Sequence, residues 1–451
     1  MEVFQGPVLG PSRLLGLGGA YAGVAEGVDG VASNVAAPAV RAPYSSHHVD
    51  YDLTASVSIP GSFSSTDFEN RGSVPTGQQT SSASNFIYGN AGVLLQVGPF
   101  GAAFTIDASS YTLATNQNGL DFHVLGSPAI VRAHAIVGWA FMNYQLVVGV
   151  GVCGVAMSLG ADALPLAPPS GIGPEAGLLL RLDDQPWRLG VSARAPVNGG
   201  IGGDVTTAAD GVKSATGNGQ SYILPTSVVL PAQIDVGFAL QLGPRPLNPK
   251  WFDPSGELEP LRQTIEDQRI ERAKHDADEI ARTPAGPLRA KLRRELDANE
   301  RAIRRLEDVR VDAEEKRIQA DHGARYTNWP RAKLLLVLDA VITVPVSNAV
   351  AVSSFFNQQL ESYGRSWTIS PRLGLEGEPV VDRFRLRFGT YLEPSLFDGG
   401  SARQHFTFGG DLKLFQWNAF GLLAKTEWQL SFATDLAPRY TNWGLSIGVW
   451  R

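Results

Sequence analysis

Seven histidines, one cysteine and a set of arginines are the residues of this chain whose types could do chemistry. His47, His48, His123, His134, His275, His322 and His405 do not stand at metal-ligand spacing from Cys153 or from paired carboxylates. No G-x-S-x-G elbow, phosphate-binding loop or dinucleotide fingerprint falls in a strand–helix setting. The chain is therefore expected not to be an enzyme and to need neither metal nor cofactor. His47-His48 reads as a strand-start pair at a membrane interface. Arg132, Arg188 and Arg194 are the cations best placed to hold a ligand carboxylate, because all three have the inward phase of their strands. The competing reading pairs them with inward acids such as Glu175 and Asp235, as ladders along a wall.

Those phases come from segments that alternate apolar and polar residues, as a strand with two different faces must. In Arg383–Phe388, Phe384, Leu386 and Phe388 share one face, and Arg383, Arg385 and Arg387 share the other. In His405–Leu414, Phe406, Phe408, Leu412 and Leu414 oppose His405, Thr407, Asp411 and Lys413. Leu422–Phe432, Gln233–Gln241 and Ile130–Phe141 repeat the pattern. These segments run to about ten residues or more, longer than the usual soluble strand. About fourteen strands can be counted, an even number that suits a closed barrel. Connections after odd strands are expected to be long, at roughly 61–85, 114–128, 160–173, 198–229, 348–366, 393–403 and 433–439. Those after even strands are tight, apart from one charged insert. Phe100, Tyr144, Trp187, Trp417 and Trp450 fall at the tight-turn end, with Trp329 where the insert returns, and read as an interfacial aromatic girdle.

Composition agrees with this fold class. The chain has 451 residues, 49 of them glycine, and 43% are hydrophobic, which excludes wholesale disorder. One cysteine excludes a disulfide scaffold, and a net charge of -6 offers no footprint for nucleic acid. No apolar run reaches the roughly 18 residues that a spanning helix needs. Leu146–Leu159 is interrupted by glycines and Leu334–Val346 by Asp339. A transmembrane strand needs no such run, since its lipid and lumen faces average out. The fold expected is all-β: an antiparallel transmembrane β-barrel of about 14 strands. Residues 46–242 supply strands 1–8 and residues 332–451 supply strands 9–14. Residues 1–45 would form an N-terminal plug in the lumen, and residues 243–331 an inserted helical hairpin.

The small-residue stretch Gly16-Leu17-Gly18-Gly19-Ala20-Tyr21-Ala22-Gly23-Val24-Ala25 is followed by Asp29, Asn34 and Ala36-Ala37-Pro38-Ala39. It resembles the start of the FadL-type outer-membrane family, which carries long-chain fatty acids and other hydrophobic compounds. Gly18, Gly19, Ala20, Asp29 and Asn34 fall on the family's hatch motif. Val35-Ala36-Ala37 departs from the Pro-Ala-Gly usual there. The resemblance implies a fourteen-stranded barrel, a hatch inside it and a lateral exit through a kinked strand. It also implies uptake of hydrophobic molecules or lipids across a Gram-negative outer membrane, by a monomer. Leu9, Leu14, Leu15, Leu17 and Tyr21 would be the hatch's apolar ligand surface. A related subfamily shares the opening motif, so the alternative is a non-transporting assembly or secretion-shuttle barrel that binds a protein partner. An outer-membrane protein is expected to be made with a signal peptide. None precedes Met1-Glu2-Val3, which reads either as a processed form with an added Met or as a mis-called start.

From Trp251 to Asp321 roughly half the residues are charged, which marks a solvated helical element. Leu258, Leu261, Ile265, Ala273, Ala277 and Ile280 recur at helical spacing, as do Leu288, Leu292, Leu296, Ile303 and Leu306. Thr283-Pro284-Ala285-Gly286-Pro287 separates the runs. An antiparallel hairpin over about 257–282 and 288–321 is expected. Because it follows an even strand, it is expected on the tight-turn, periplasmic side, where it could dock a periplasmic protein or be a solvated insertion.

Overall fold

The computed structural model describes all residues except 4–5, 43–44, 46–47, 62–65, 73–80, 118–120, 160–165, 168, 204, 218–219, 252–253, 331, 419–425 and 451. His47 and parts of the expected long connections therefore lie outside the described residues. Fourteen long strands follow one another along the chain. The first seven are β1 (Val49–Ser58), β2 (Ser81–Val97), β3 (Phe100–Gln117), β4 (Ala129–Phe141), β5 (Leu146–Ser158), β6 (Ser170–Leu180) and β7 (Trp187–Arg194). The rest are β8 (Gln233–Leu242), β9 (Leu334–Thr343), β10 (Thr368–Val380), β11 (Phe384–Glu393), β12 (Arg403–Trp417), β13 (Thr426–Ala437) and β14 (Tyr440–Val449). Each pairs with its sequence neighbours, and β14 returns to β1 through Thr54↔Gly448 to Ser58↔Gly444. The sheet is thus a closed antiparallel barrel, which leaves no ladder groups unpaired at an edge.

The tight turns at Gly98 and Asn143 fall where the spacing places them; residues 419–425, which include the start of the expected Leu422–Phe432 segment, lie outside the described residues. Gly98 joins β2 to β3 with a φ of 53°, and Met142, Asn143 and Tyr144 all take positive φ between β4 and β5. One expected loop is absent: residues 433–437 continue β13, and Pro438-Arg439 turns directly into β14. The polar residues of that segment face the lumen, not a solvated loop. Thr434 and Asp435 are buried on the inner face, while Leu436 points outward.

Alternation has the sense expected of a membrane barrel. Arg385 and Arg387 of β11 are buried, while Phe388 is 54% exposed. Phe104, Val137, Val150, Val236, Leu338, Phe406, Leu430 and Leu445 are likewise exposed, on eight different strands. An apolar exterior of this extent is far beyond the patches of soluble monomers. Phe100 and Trp139 lie together on that outside, with ring centroids 6.2 Å apart. Trp450 does not join the girdle. It is buried with its ring 3.8 Å from the Arg385 guanidinium, because the inward ion cluster offers the indole a cation.

The N-terminal 42 residues fill the lumen as a hatch of short turns. They comprise one helical turn, α1 (Ser12–Gly16), and 3-10 turns at Val28–Ala32 and Ala37–Ala39. So many glycines and alanines cannot sustain a free helix, but they let the backbone lie close to the wall. Val28, Val31, Val35 and Val40 pack with Leu94, Ile136, Val147 and Leu179 on one side of the barrel. Leu14, Leu15, Leu17, Tyr21 and Val24 pack with Leu247, Leu335, Val337 and Tyr391 on the other. At the end carrying the long connections, Phe68, Phe86, Tyr111, Tyr222, Phe355 and Phe356 gather into a further apolar cluster.

Residues 43–50 and 250–329 form a second compact unit. Its body is a helical hairpin, α2 (Pro254–Arg282) and α3 (Pro287–Asn328). Part of the expected seam holds: Leu258 and Ile265 are buried, and Leu261, Ile280, Leu292, Leu296 and Ile303 are half-buried. Ala273, Ala277, Leu288 and Leu306 face solvent. Arg269 and Arg272 instead meet Glu300 and Glu307 across the two helices. Ion pairs thus join the apolar residues in holding the two helices together. Leu258, Ile265 and Ile318 are buried there.

Candidate functional site: the hatch and the lumen cavity

The hatch is fastened by side chains of the barrel wall. Asp339 of β9 accepts hydrogen bonds from the backbone N–H groups of Tyr21 and Ala22, at 2.6 and 2.7 Å. Asp52 of β1 accepts from Val28 N at 2.8 Å. These carboxylates satisfy turn donors that a buried loop would otherwise leave unpaired. Arg13 of α1 reaches Glu376 of β10 at 3.2 Å, and Glu376 also receives Lys333 and Arg387. Glu26 of the hatch takes Arg188 of β7 at 2.8 Å.

The motif residues supply the complement. Gly18 and Gly19 have φ of 64° and 77°, a left-handed conformation that other residues rarely adopt. Ala20 is fully buried. Asn34 donates to Ala22 O at 2.9 Å and Leu178 O at 3.1 Å, and accepts from Ala36 N at 2.9 Å. It therefore ties two hatch turns to β6. Asp29 lies within the first 3-10 turn, beside Asp52 and Thr54. Inward glycines of the wall make room for the hatch backbone. A Cβ on Gly190 would lie 1.9 Å from Ala22 O, and one on Gly149 would lie 2.0 Å from Val35 O.

Between hatch and wall, toward the long connections, lies a cavity of about 150 Å³. Val8, Leu9, Leu14 and Val28 give it an apolar side. The facing strands bring polar groups, among them Arg132, His134, Asp235 and Arg372. Of the residues expected to contact ligand, Leu9, Leu14, Arg132 and Arg194 line it. Leu15, Leu17 and Tyr21 are fully buried against the wall on the other side of the hatch. Arg188 is also buried, committed to Glu26, Asn248, Val24 O and Leu247 O. Arg132 pairs with Asp107 at 2.8 Å, its direct cross-strand neighbour. Arg194 pairs with Glu175 at 3.4 Å and donates to Val31 O and Ala32 O of the hatch. Among the described residues no ion pair joins Asp235 to an arginine in this way.

Sequence reasoning missed Asp339, Glu26, Glu376 and Arg372. Asp339 did carry a signal, as a lone acid within the apolar run Leu334–Val346. His405 sits in a separate buried cluster, with Nδ1 2.9 Å from Asp435 and Nε2 2.8 Å from Glu393. Its ring stacks on Tyr391, with centroids 4.2 Å apart, and is fully buried.

The chain is similar to the CymD monoaromatic hydrocarbon channel at 9% identity, covering 98% of this chain and 96% of that one, with a TM-score of 0.44. It is similar to a TodX monoaromatic hydrocarbon channel mutant at 11% identity, covering 97% of each chain, with a TM-score of 0.45. The translocator domain of the autotransporter NalP from Neisseria meningitidis aligns at 10% identity over 89% of this chain and 88% of its own, with a TM-score of 0.28. No family model matches the chain, and no curated protein matches it.

Proposed function

We propose that this protein is an outer-membrane channel for compact hydrophobic molecules, which pass the hatch by way of the lumen cavity. The observation that carries the reading is a closed barrel, apolar outside, whose lumen holds a fastened hatch with a cavity against it. An apolar exterior belongs in lipid. A Gram-negative outer membrane is the setting that suits such a barrel, since its outer sugar layer resists hydrophobic solutes. The hatch's resemblance to the FadL-type opening supports the same reading, with a monomer as the working unit and the helical insert on the periplasmic side.

Size sets the cargo. A cavity of about 150 Å³ has room for a molecule of benzene's size. A long-chain fatty acid would fit only if the hatch moved. Intact Gram-negative cells expressing the chain should take up radiolabelled toluene faster than cells without it, and faster than they take up a long-chain fatty acid. Uptake of both at the background rate would sink the channel reading. Preferential uptake of the fatty acid would keep the channel and overturn the size argument.

A further inference from the structure

The chain's single cysteine stands at the lumen cavity beside a histidine and a carboxylate. Cys153 of β5 lies directly opposite His134 of β4 in the ladder, and its Sγ is 3.8 Å from His134 Nε2. The other ring nitrogen, Nδ1, is 3.1 Å from both carboxylate oxygens of Glu175 on β6. An ionised carboxylate only accepts, so Nδ1 carries the proton of the neutral ring and Nε2 is left as the acceptor facing the thiol. Glu175 is itself held by Arg194 at 3.4 Å. A nucleophile, its base and the group that orients the base stand in this order wherever a side chain is activated for attack. Cys153 and His134 both line the cavity, and the His134 side chain is 12% exposed.

We propose that Cys153 is a nucleophilic thiol that captures compact α,β-unsaturated carbonyl compounds in this cavity, with His134 as its base and Glu175 as a positioning residue. Entry of the ligand rests on the channel reading above, and the chemistry at the thiol goes beyond it. As Sγ bonds to the β-carbon, the thiol proton passes to His134 Nε2 and the C=C π pair moves onto the carbonyl oxygen as an enolate. Arg132 and Arg194 line the same cavity and offer positive charge to that oxygen. The enolate then takes the proton from Nε2 at its α-carbon, which leaves a saturated thioether and a neutral imidazole. No oxidant, leaving group or second reactant takes part. Acyl transfer is the rival chemistry, and it needs N–H donors aimed at an oxyanion. The backbone around Cys153 has none to offer, because β5 is paired on both sides, to β4 and to β6. A volume of about 150 Å³ has room for a small enone, whose hydrocarbon part suits Val8, Leu9, Leu14 and Val28.

The test is alkylation of the purified full-length protein in detergent by methyl vinyl ketone, followed over time by peptide mass spectrometry. Cys153→Ser supplies the blank for other nucleophiles. A thioether should form at Cys153, and saturating toluene should slow it severalfold, since both ligands use the cavity. His134→Ala should cut the rate by about a hundredfold, and added imidazole should restore part of it. His134→Gln should be as slow, and it keeps the comparison open if the alanine variant loses its heat-modifiable gel mobility. Glu175→Ala should slow the reaction by a smaller factor, with Glu175→Asp recovering part of the rate. A merely structural role for either residue would give no such recovery. A Cys153 that stays unmodified, or that reacts as fast without His134, would overturn the proposal. So would a rate unchanged by toluene, which would place the reaction outside the cavity. Failure of alkylation with toluene uptake by cells intact removes the thiol site and leaves the channel. Alkylation without toluene uptake removes the channel and leaves the thiol site.

Discussion

At the scale of single residues, the protein is organised by what the hatch requires of the wall. Asp339 is the clearest case. Its carboxylate takes the N–H groups of Tyr21 and Ala22, more than 300 residues away in the chain. A buried donor left without its acceptor costs about 1–3 kcal/mol, so removing this acceptor should loosen the turn. Asp339→Ala is expected to speed hydrogen exchange at the Tyr21 and Ala22 amides by about tenfold or more, with Asp339→Asn in between. Unchanged protection at those amides would mean that apolar packing alone holds the hatch. Gly190 makes the opposite test. Any side chain there enters the space of the Ala22 carbonyl, whose oxygen would lie 1.9 Å from the new Cβ. Gly190→Val should destabilise the folded protein by roughly 1–3 kcal/mol, read as a lower denaturant midpoint. A midpoint equal to that of the unaltered protein would show that the hatch can shift without cost.

At the scale of elements, the helical hairpin depends on charge at its centre. Glu307 receives Arg269 at 2.7 Å and Arg272 at 2.6 Å. Burial pushes the Glu307 carboxyl up, but the two guanidiniums outweigh it and hold it below the ordinary value of 4.5. A carboxylate lowered in the folded state stabilises fully above its unfolded pKa, and that contribution fades as pH falls through the lowered one. The helices hold most of the regular helical residues described, so far-UV circular dichroism of the whole protein follows them. Helicity should resist heat best above about pH 4.5 and weaken as the solution is made more acid. Glu307→Ala should lower the melting of the helical signal by a few degrees at neutral pH and flatten its acid dependence. An acid profile identical to that of the unaltered protein would place the seam's stability in Leu258, Ile265 and Ile318 instead.

At the scale of the whole molecule, the barrel closes without the insert. Leu242 and Leu334, which bracket it, are directly paired across β8 and β9. A short turn in place of residues 250–329 should therefore leave a barrel with heat-modifiable gel mobility. Loss of that mobility would show that the hairpin is needed to form the barrel.

Much of this was legible in the sequence. A strand places successive side chains on opposite faces, so local alternation alone distinguishes Phe388 from Arg387, and it counts the strands. The Asp107–Arg132 pair follows once β3 and β4 are set in register. Alternation could not tell the end of β13 from a loop, because inward Thr434 and Asp435 look polar in either setting. Nor could it find the hairpin's ion pairs, since helical spacing predicts a face but not where two faces meet. The sequence by itself determined the barrel, its inner and outer faces and the hatch's small residues, because these follow from spacing a few residues apart. Only the tertiary structure decided which wall carboxylates hold the hatch and which arginines are already committed. Those facts depend on which strands become neighbours when the sheet closes and on where the hatch backbone comes to rest within it.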